Sequence, residues 1–267
     1  MSHPTKTAVF TEATVDADGF NVRYLDGGKG NPVLMLHGGG GLQHNRTHDL
    51  LAAASRVIAI EIPGFGDSPV NDRSTSLLDL ALIVLAVADA LKLDRFSLVG
   101  TSFGAAVAGW VATQAPDRVD KLVLISPAAI RPDDSPLPSD VAPEELKALL
   151  FGHPNQHELP AIPPEVAAKN AAMLQLLAPG RDSALEKGLS TFSAPTLVLF
   201  GDLDRLTPVE LGRLYVELLP DAYLAIVYDA GHSIEVERPE ASAEIIGDFL
   251  DRGPAFAVAQ ESSLLFP

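Results

Sequence analysis

The chain has 267 residues, 35 acidic against 19 basic side chains, and no cysteine. A formal net charge of −16 repels polyanionic backbones and anionic headgroups, so neither nucleic acid nor a membrane is an expected partner. Without cysteine there is no disulfide, thiolate nucleophile or thiolate-ligated metal, which fits a cytoplasmic location, and 47% hydrophobic residues suit one globular α/β domain or a domain with one insertion.

Residues 1–14 are mixed and polar, with no basic stretch leading into an apolar one, so no secretory signal is expected. Residues 9–20 and 20–25 read as two short strands, followed by the turn chemistry of Asp26-Gly27-Gly28-Lys29-Gly30. Residues 32–37 are a continuous apolar run, the pattern of a strand covered on both faces, and Gly38 to Gly41 follow at once. A second such strand, residues 56–62, ends in Pro63-Gly64-Phe65-Gly66-Asp67-Ser68. Ser76 caps a helix running to Lys92, with Asp79 in capping-box position. Asp79 and Asp89 also make this apolar stretch too charged, and its length too short, for a membrane span. Residues 96–99 form a third strand, residues 100–104 a sharp turn, and residues 105–115 a helix stopped by Pro116. A strand at 122–125 completes a rhythm that predicts a parallel sheet with helices on both faces.

Residues 127–193 break that rhythm. They open Pro-rich (Pro127, Pro132, Pro136, Pro138, Pro143), continue with helix-like stretches at 144–151 and 164–177, and contain no core strand. A strand at 195–200, a helix at 208–219, a strand at 223–227 and a helix at 239–250 then resume it. The expected architecture is α/β: a mostly parallel central sheet of about eight strands flanked by helices, formed by residues 1–126 and 194–267, with residues 127–193 inserted as a helical cap. The moderately apolar tail, residues 252–267, packs on the body or on a second copy, which leaves a homodimer open.

Gly100-Thr101-Ser102-Phe103-Gly104 has the form G-x-S-x-G at a strand-to-helix junction. A nucleophilic serine there stands at the tip of a tight turn, the glycines remove Cβ atoms that would clash, and the helix N-terminus faces developing negative charge. A serine needs a base. Of seven histidines, His232 follows the last predicted strand and therefore shares the crevice at the strands' carboxyl ends with Ser102. A carboxylate must orient the histidine, and either Asp202 or Asp204, after the strand ending at Phe200, can do so; the other is solvated or pairs with Arg205. His44 and His48 lack a third ligand, and Asn45 stands where a zincin has Glu, so no metal is expected. Gly38 to Gly41 are not a phosphate loop, since no Gly-Lys-Ser/Thr follows.

These segments, His37-Gly38-Gly39-Gly40, Pro63 to Ser68, the Ser102 turn, Gly201-x-x-Asp204-x-x-x-Pro208 and Gly231-His232, resemble the α/β-hydrolase superfamily in their order and over nearly the whole chain. The resemblance implies Ser102 as nucleophile, Asp204 rather than Asp202 as acid, His232 as base, and an oxyanion hole from the N–H of Phe103 with that of Gly39 or Gly40; His37 is structural. It implies no cofactor. Glu61 departs from the Asp that relatives often carry. A serine at the elbow, where dehalogenases and epoxide hydrolases carry a carboxylate, sets those branches aside. The expected reaction is hydrolysis of a small to medium apolar carboxylic ester or lactone through an acyl-enzyme, in a pocket lined from among Leu146, Leu149, Leu150, Phe151, Met173, Leu174, Leu176 and Leu177. The alternatives are a carbon–carbon bond hydrolase of the meta-cleavage-product type, disfavoured because Thr101 and Ser233 stand where such enzymes often have Asn and Trp, and a non-catalytic ligand-binding protein of the same fold.

Overall fold

The two N-terminal strands, β1 (Thr11–Ala17) and β2 (Phe20–Gly28), form an antiparallel hairpin around Asp18-Gly19. The computed structural model describes residues 9–132, 142–177 and 180–257. Pro136, Pro138 and residues 258–267 of the predicted insertion and tail lie outside the described residues.

The chain continues through β3 (Pro32–Leu36), α1 (Arg46–Leu51), β4 (Arg56–Ile60), α2 (Leu77–Ala90), β5 (Phe96–Thr101), α3 (Phe103–Gln114) and β6 (Val119–Ile125). Among the described residues three α-helices follow before the next strand: α4 (Pro143–Leu150), α5 (Pro164–Leu177) and α6 (Ser183–Leu189). Then come β7 (Thr196–Gly201), α7 (Leu211–Leu218), β8 (Ala222–Val227), α8 (Ile234–Glu237) and α9 (Pro239–Arg252). The eight strands make one sheet in the order β1-β2-β4-β3-β5-β6-β7-β8. The pairs β1–β2 and β2–β4 are antiparallel, and β3 to β8 run parallel.

The apolar runs read as buried strands because each feeds two cores at once. Leu34, Leu36, Ile58, Ile60, Leu98, Val198 and Phe200 enter the core shared with α2, α3, α6 and α7. Their neighbours Val33, Met35, Val57, Ala59, Val99, Leu197 and Leu199 enter the core under α1 and α9. That is the two-residue period of a strand with both faces covered. The N-terminus of α2 is fixed as its sequence requires: the Ser76 hydroxyl accepts from Asp79 N, and the Asp79 carboxylate accepts from Ser76 N at 3.0 Å. Phe256, just past α9, packs edge-on against Phe249 and Tyr223, so the described part of the tail lies on the body.

The sheet places the candidate residues. Strand order reverses about β3, which lies between β4 and β5, and such a reversal opens a crevice at the carboxyl ends of the parallel strands. His37 to Gly41 follow β3, Ser102 follows β5, Asp204 follows β7 and His232 follows β8. Among the described residues no helix is long and apolar enough to cross a membrane.

Candidate active site

Ser102 lies in the left-handed half of backbone space, with φ of +53° and ψ of −112°. A non-glycine residue is held there only where its surroundings over-determine it. Its N–H donates to Ile125 O at 2.8 Å on the neighbouring strand, and its C=O accepts from Ala105 N at 3.0 Å. The flanking glycines make the turn possible. A Cβ on Gly104 would lie 2.5 and 2.4 Å from the carbonyl oxygens of Leu36 and His37, and one on Gly100 2.4 Å from Gly104 O. The helix therefore starts at Phe103, two residues earlier than the sequence suggests, because Ser102 itself occupies the position before its first turn.

His232 is 4% exposed, and its Nδ1 meets Asp204 Oδ2 at 2.9 Å. Its Nε2 is buried with no hydrogen-bond partner, and no hydrogen bond joins it to Ser102. Asp204 has the fuller shell. Its Oδ1 accepts from Leu206 N and Thr207 N at 2.9 and 2.8 Å, and its Oδ2 accepts from the Thr207 hydroxyl at 2.8 Å. Burial pushes this carboxyl up, but the charge and hydrogen bond of His232 and the two Thr207 donors outweigh it, leaving it below the usual carboxylate range. Asp204 is thus an anion facing Nδ1, the arrangement that keeps a proton on Nδ1 and a lone pair on Nε2. Asp202 does other work: its Oδ1 accepts from Asp229 N and Ala230 N, pinning the approach to the histidine turn. Arg205 reaches Ala148 O.

Thr207 is missing from the sequence reading. Its hydroxyl lies 3.0 Å from His232 Nδ1 as well as bonding Asp204. The available signal was the spacing Asp204-x-x-Thr207, since a carboxylate readily caps the N–H groups two and three residues on.

The glycine loop after β3 is held by His37. Ile62 N donates to His37 Nε2 at 3.0 Å, so the ring proton sits on Nδ1, which donates to Gly38 O at 2.6 Å. Gly41 N reaches the same carbonyl at 3.3 Å. In a trans peptide the N–H points away from the C=O, so fixing the Gly38 carbonyl fixes the direction of the Gly39 N–H. The loop lies against the serine: a Cβ on Gly38 would be 3.5 Å from Ser102 Cβ. The other expected donor, the N–H of Phe103, opens α3 beside it.

Helix α5 closes over this loop. Asn170 Nδ2 donates to Gly40 O at 3.1 Å, while its Oδ1 accepts from Gly66 N at 3.1 Å. Lys169 Nζ donates to the carbonyls of Gly66 and Ser68. Leu174 lies over Gly39 and Met173 over Gly64, each so close that a Cβ on the glycine would collide with it. Leu146 and Leu176, also expected as lining, face solvent. At the other end, the buried Glu237 carboxylate accepts from Gly231 N, Gly152 N and His153 N, tying the histidine turn to the segment after α4. His48 serves helix α1, where its Nδ1 accepts from Asn45 N at 3.1 Å. Among the described residues no three His, Cys, Asp or Glu side chains are grouped to hold a metal.

His37 and His48 make the fold acid-sensitive. Burial lowers both to about 4; Arg23 adds to this at His37 and His44 at His48, while the backbone bonds oppose it. The unfolded chain, with ordinary histidine values near ~6.5, binds more protons below that pH. Stability is therefore complete above pH ~6.5 and is lost as pH falls toward ~4, by about 3 kcal/mol for each histidine. Denaturant midpoints should fall sharply between pH 7 and 4.5, and His48→Gln should flatten the curve; equal midpoints at both pH values would refute this account.

Residues 31–172 match the model of the family described as alpha/beta hydrolase fold. The chain belongs to the α/β-hydrolase fold family. It is a hydrolase of that family by its relatives as well. It is similar to a 2-hydroxy-6-oxo-6-phenylhexa-2,4-dienoate hydrolase of Burkholderia cepacia, 27% identical over 95% of this chain and 99% of the relative. A 2-hydroxy-6-oxononadienedioate/2-hydroxy-6-oxononatrienedioate hydrolase of Burkholderia vietnamiensis is 30% identical over 92% of this chain and 96% of its own. Among solved structures it resembles a serine hydrolase involved in carbazole degradation, at 25% identity and a TM-score of 0.77, covering 91% of this chain and 99% of that one. The expectation of a carboxylesterase or lactonase is thereby overturned, because relatives matched over nearly their whole length are named as hydrolases of 2-hydroxy-6-oxo-dienoates and their dicarboxylate counterparts. A serine at a tight turn with a histidine and an aspartate nearby does not by itself choose the leaving group.

Proposed function

We propose that this α/β-hydrolase cleaves a carbon–carbon bond in a meta-cleavage product, a 2-hydroxy-6-oxo-dienoate, by adding water next to the 6-oxo carbonyl. The observation that carries the reading is the near end-to-end similarity to hydrolases named for such substrates. The site suits the chemistry. A carbon leaving group departs only if its electron pair is delocalised, and a 2-hydroxy-diene that ketonises to the 2-oxo form provides the conjugated acceptor. Ser102 attacks the 6-carbonyl carbon as His232 Nε2 takes its proton. The oxyanion rests on the N–H groups of Phe103 and of Gly39 or Gly40. The carbon–carbon bond then breaks, its electrons pass into the conjugated ketone, and His232 gives the proton to the enolate oxygen so formed, the leaving carbon having taken its hydrogen on ketonisation. Water, activated by the same histidine, releases the acyl group as a carboxylic acid. The net change is one water consumed, hydroxyl to the carbonyl carbon and hydrogen to the leaving carbon. In this reading residues 127–193 are the cap of a core made of residues 1–126 and 194–267, and Leu174 and Met173 are its contribution over the site.

The test is bleaching of 2-hydroxy-6-oxo-6-phenylhexa-2,4-dienoate, whose conjugation gives it colour. The expected result is loss of colour with stoichiometric benzoate. A purified enzyme that is labelled at Ser102 by an organophosphorus probe yet leaves this dienoate and its 6-alkyl counterparts intact overturns the reading.

A further inference from the structure

Glu235 is buried, 8% exposed, and outside the chemistry above. It sits three residues after His232, in the short helix α8, and its carboxyl accepts a hydrogen bond from the hydroxyl of Thr101, the residue before Ser102, at 2.5 Å. Its backbone is anchored from the opposite side, where the buried Thr47 hydroxyl donates to Glu235 O at 3.0 Å and contacts Ser242 Oγ at 3.2 Å. We propose that Glu235 is a positioning residue, a strut between the turn that carries His232 and the elbow that carries Ser102, which sets the separation of the two.

The surroundings support a geometric role. Glu235 borders a cavity of about 100 Å³ at the glycine loop, lined also by His37, Gly38, Asn45, His48 and Thr101, with no lysine or arginine among the lining residues. Burial raises the acid above its ordinary value, with only the Thr101 bond opposing. A carboxyl so placed gains no ion pair and costs more to bury than a hydrocarbon of equal size. What it supplies is direction, a hydrogen bond from the His232 turn to the base of a strained elbow. Ser102 has no side-chain bond of its own to His232, so their approach depends on how the two turns are held. A misplacement of about 1 Å costs about 10²-fold in rate.

The inference rests on Ser102 and His232 acting as a pair, not on the substrate, so the readout is the rate at which an organophosphorus probe labels Ser102. Glu235→Ala is expected to slow labelling by about 10- to 100-fold, with the probe's saturation constant changed far less. Glu235→Gln, whose amide oxygen still accepts from Thr101, should restore most of the rate and leave the shape of its pH profile unchanged. Thr101→Val should match Glu235→Ala, Thr101→Ser should not, and the Thr101→Val, Glu235→Ala pair should be no slower than either alone. Should Glu235→Ala fail to fold, Thr101→Val and Thr101→Ser carry the comparison, since they differ in the hydroxyl and leave the carboxyl in place. A wild-type labelling rate in Glu235→Ala or Thr101→Val, additive effects in the pair, or a Gln variant as slow as Ala each overturns the strut; an altered pH profile in the Gln variant would instead make Glu235 a proton carrier.

Discussion

Ser102→Ala and His232→Ala are each expected to lower kcat/KM on the dienoate by about 10⁴- to 10⁶-fold, and the double variant by no more than either alone. The reason is that the two act as one device: the serine is inert without a base, and the base has nothing to activate without the serine. Ser102→Ala is the cleaner experiment because its cost to the fold is small. Alanine, like serine, carries a Cβ, so the strain of the positive φ at this position is unchanged, and Ser102 Oγ makes no capping bond to α3 that would be lost. Thermal unfolding should therefore move little while turnover collapses. His232→Ala is harsher, since it leaves the buried Asp204 without the ring N–H that faces its Oδ2. Single-turnover bleaching with each variant decides the matter, and retention of more than about a hundredth of the wild-type rate by Ser102→Ala would remove the serine from the chemistry.

Asp204→Asn is expected to reduce kcat by about 10⁴-fold with the site geometry kept. The loss comes from the wrong tautomer. The N–H groups of Leu206 and Thr207 already donate to one Asp204 oxygen, so the asparagine carbonyl remains there and its NH₂ turns toward His232 Nδ1. The ring must then accept at Nδ1 and carry its proton on Nε2, where it cannot take the proton of Ser102. Asp202→Asn is the control. That side chain accepts from backbone N–H groups at residues 229 and 230, which an amide oxygen also does, so the expected loss is under about tenfold. Comparable losses in both variants would mean that the two aspartates share one task.

Much of this arrangement can be read from the chain. Strands buried on both faces announce themselves as unbroken apolar runs, which is why β3, β4, β5 and β7 were legible, and Ser76 with Asp79 marked the start of α2 to the residue. Helices α1, α6 and α8 were not read. They span six, seven and four residues, too few turns for a periodic pattern to emerge, and they exist because tertiary contacts hold them. The site divides the same way. Ser102, His232 and the two aspartates follow strands and belong to short motifs, whereas Thr207, Asn170 and Glu235 matter through what they touch. The reaction was the least legible part. A serine, a histidine and an aspartate specify how a carbonyl is attacked; whether oxygen or carbon then leaves depends on the substrate's own conjugation and on the walls that select it, and leucines in a helical insertion do not encode that choice.

The bonds that complete the site join distant parts of the chain. Asn170 meets Gly66 and Gly40 across 104 and 130 residues, and Thr101 meets Glu235 across 134. The strands β3 to β5 and the helices between them make nearer contacts, and chain closure over short loops precedes closure over long ones. A polypeptide emerging from synthesis thus carries its glycine loop and elbow residues well before Asp204, His232 and Glu235 exist to meet them, while both cores still await side chains of α6, α7 and α9. The chain is chemically silent through that interval, and its competence arrives with the last third.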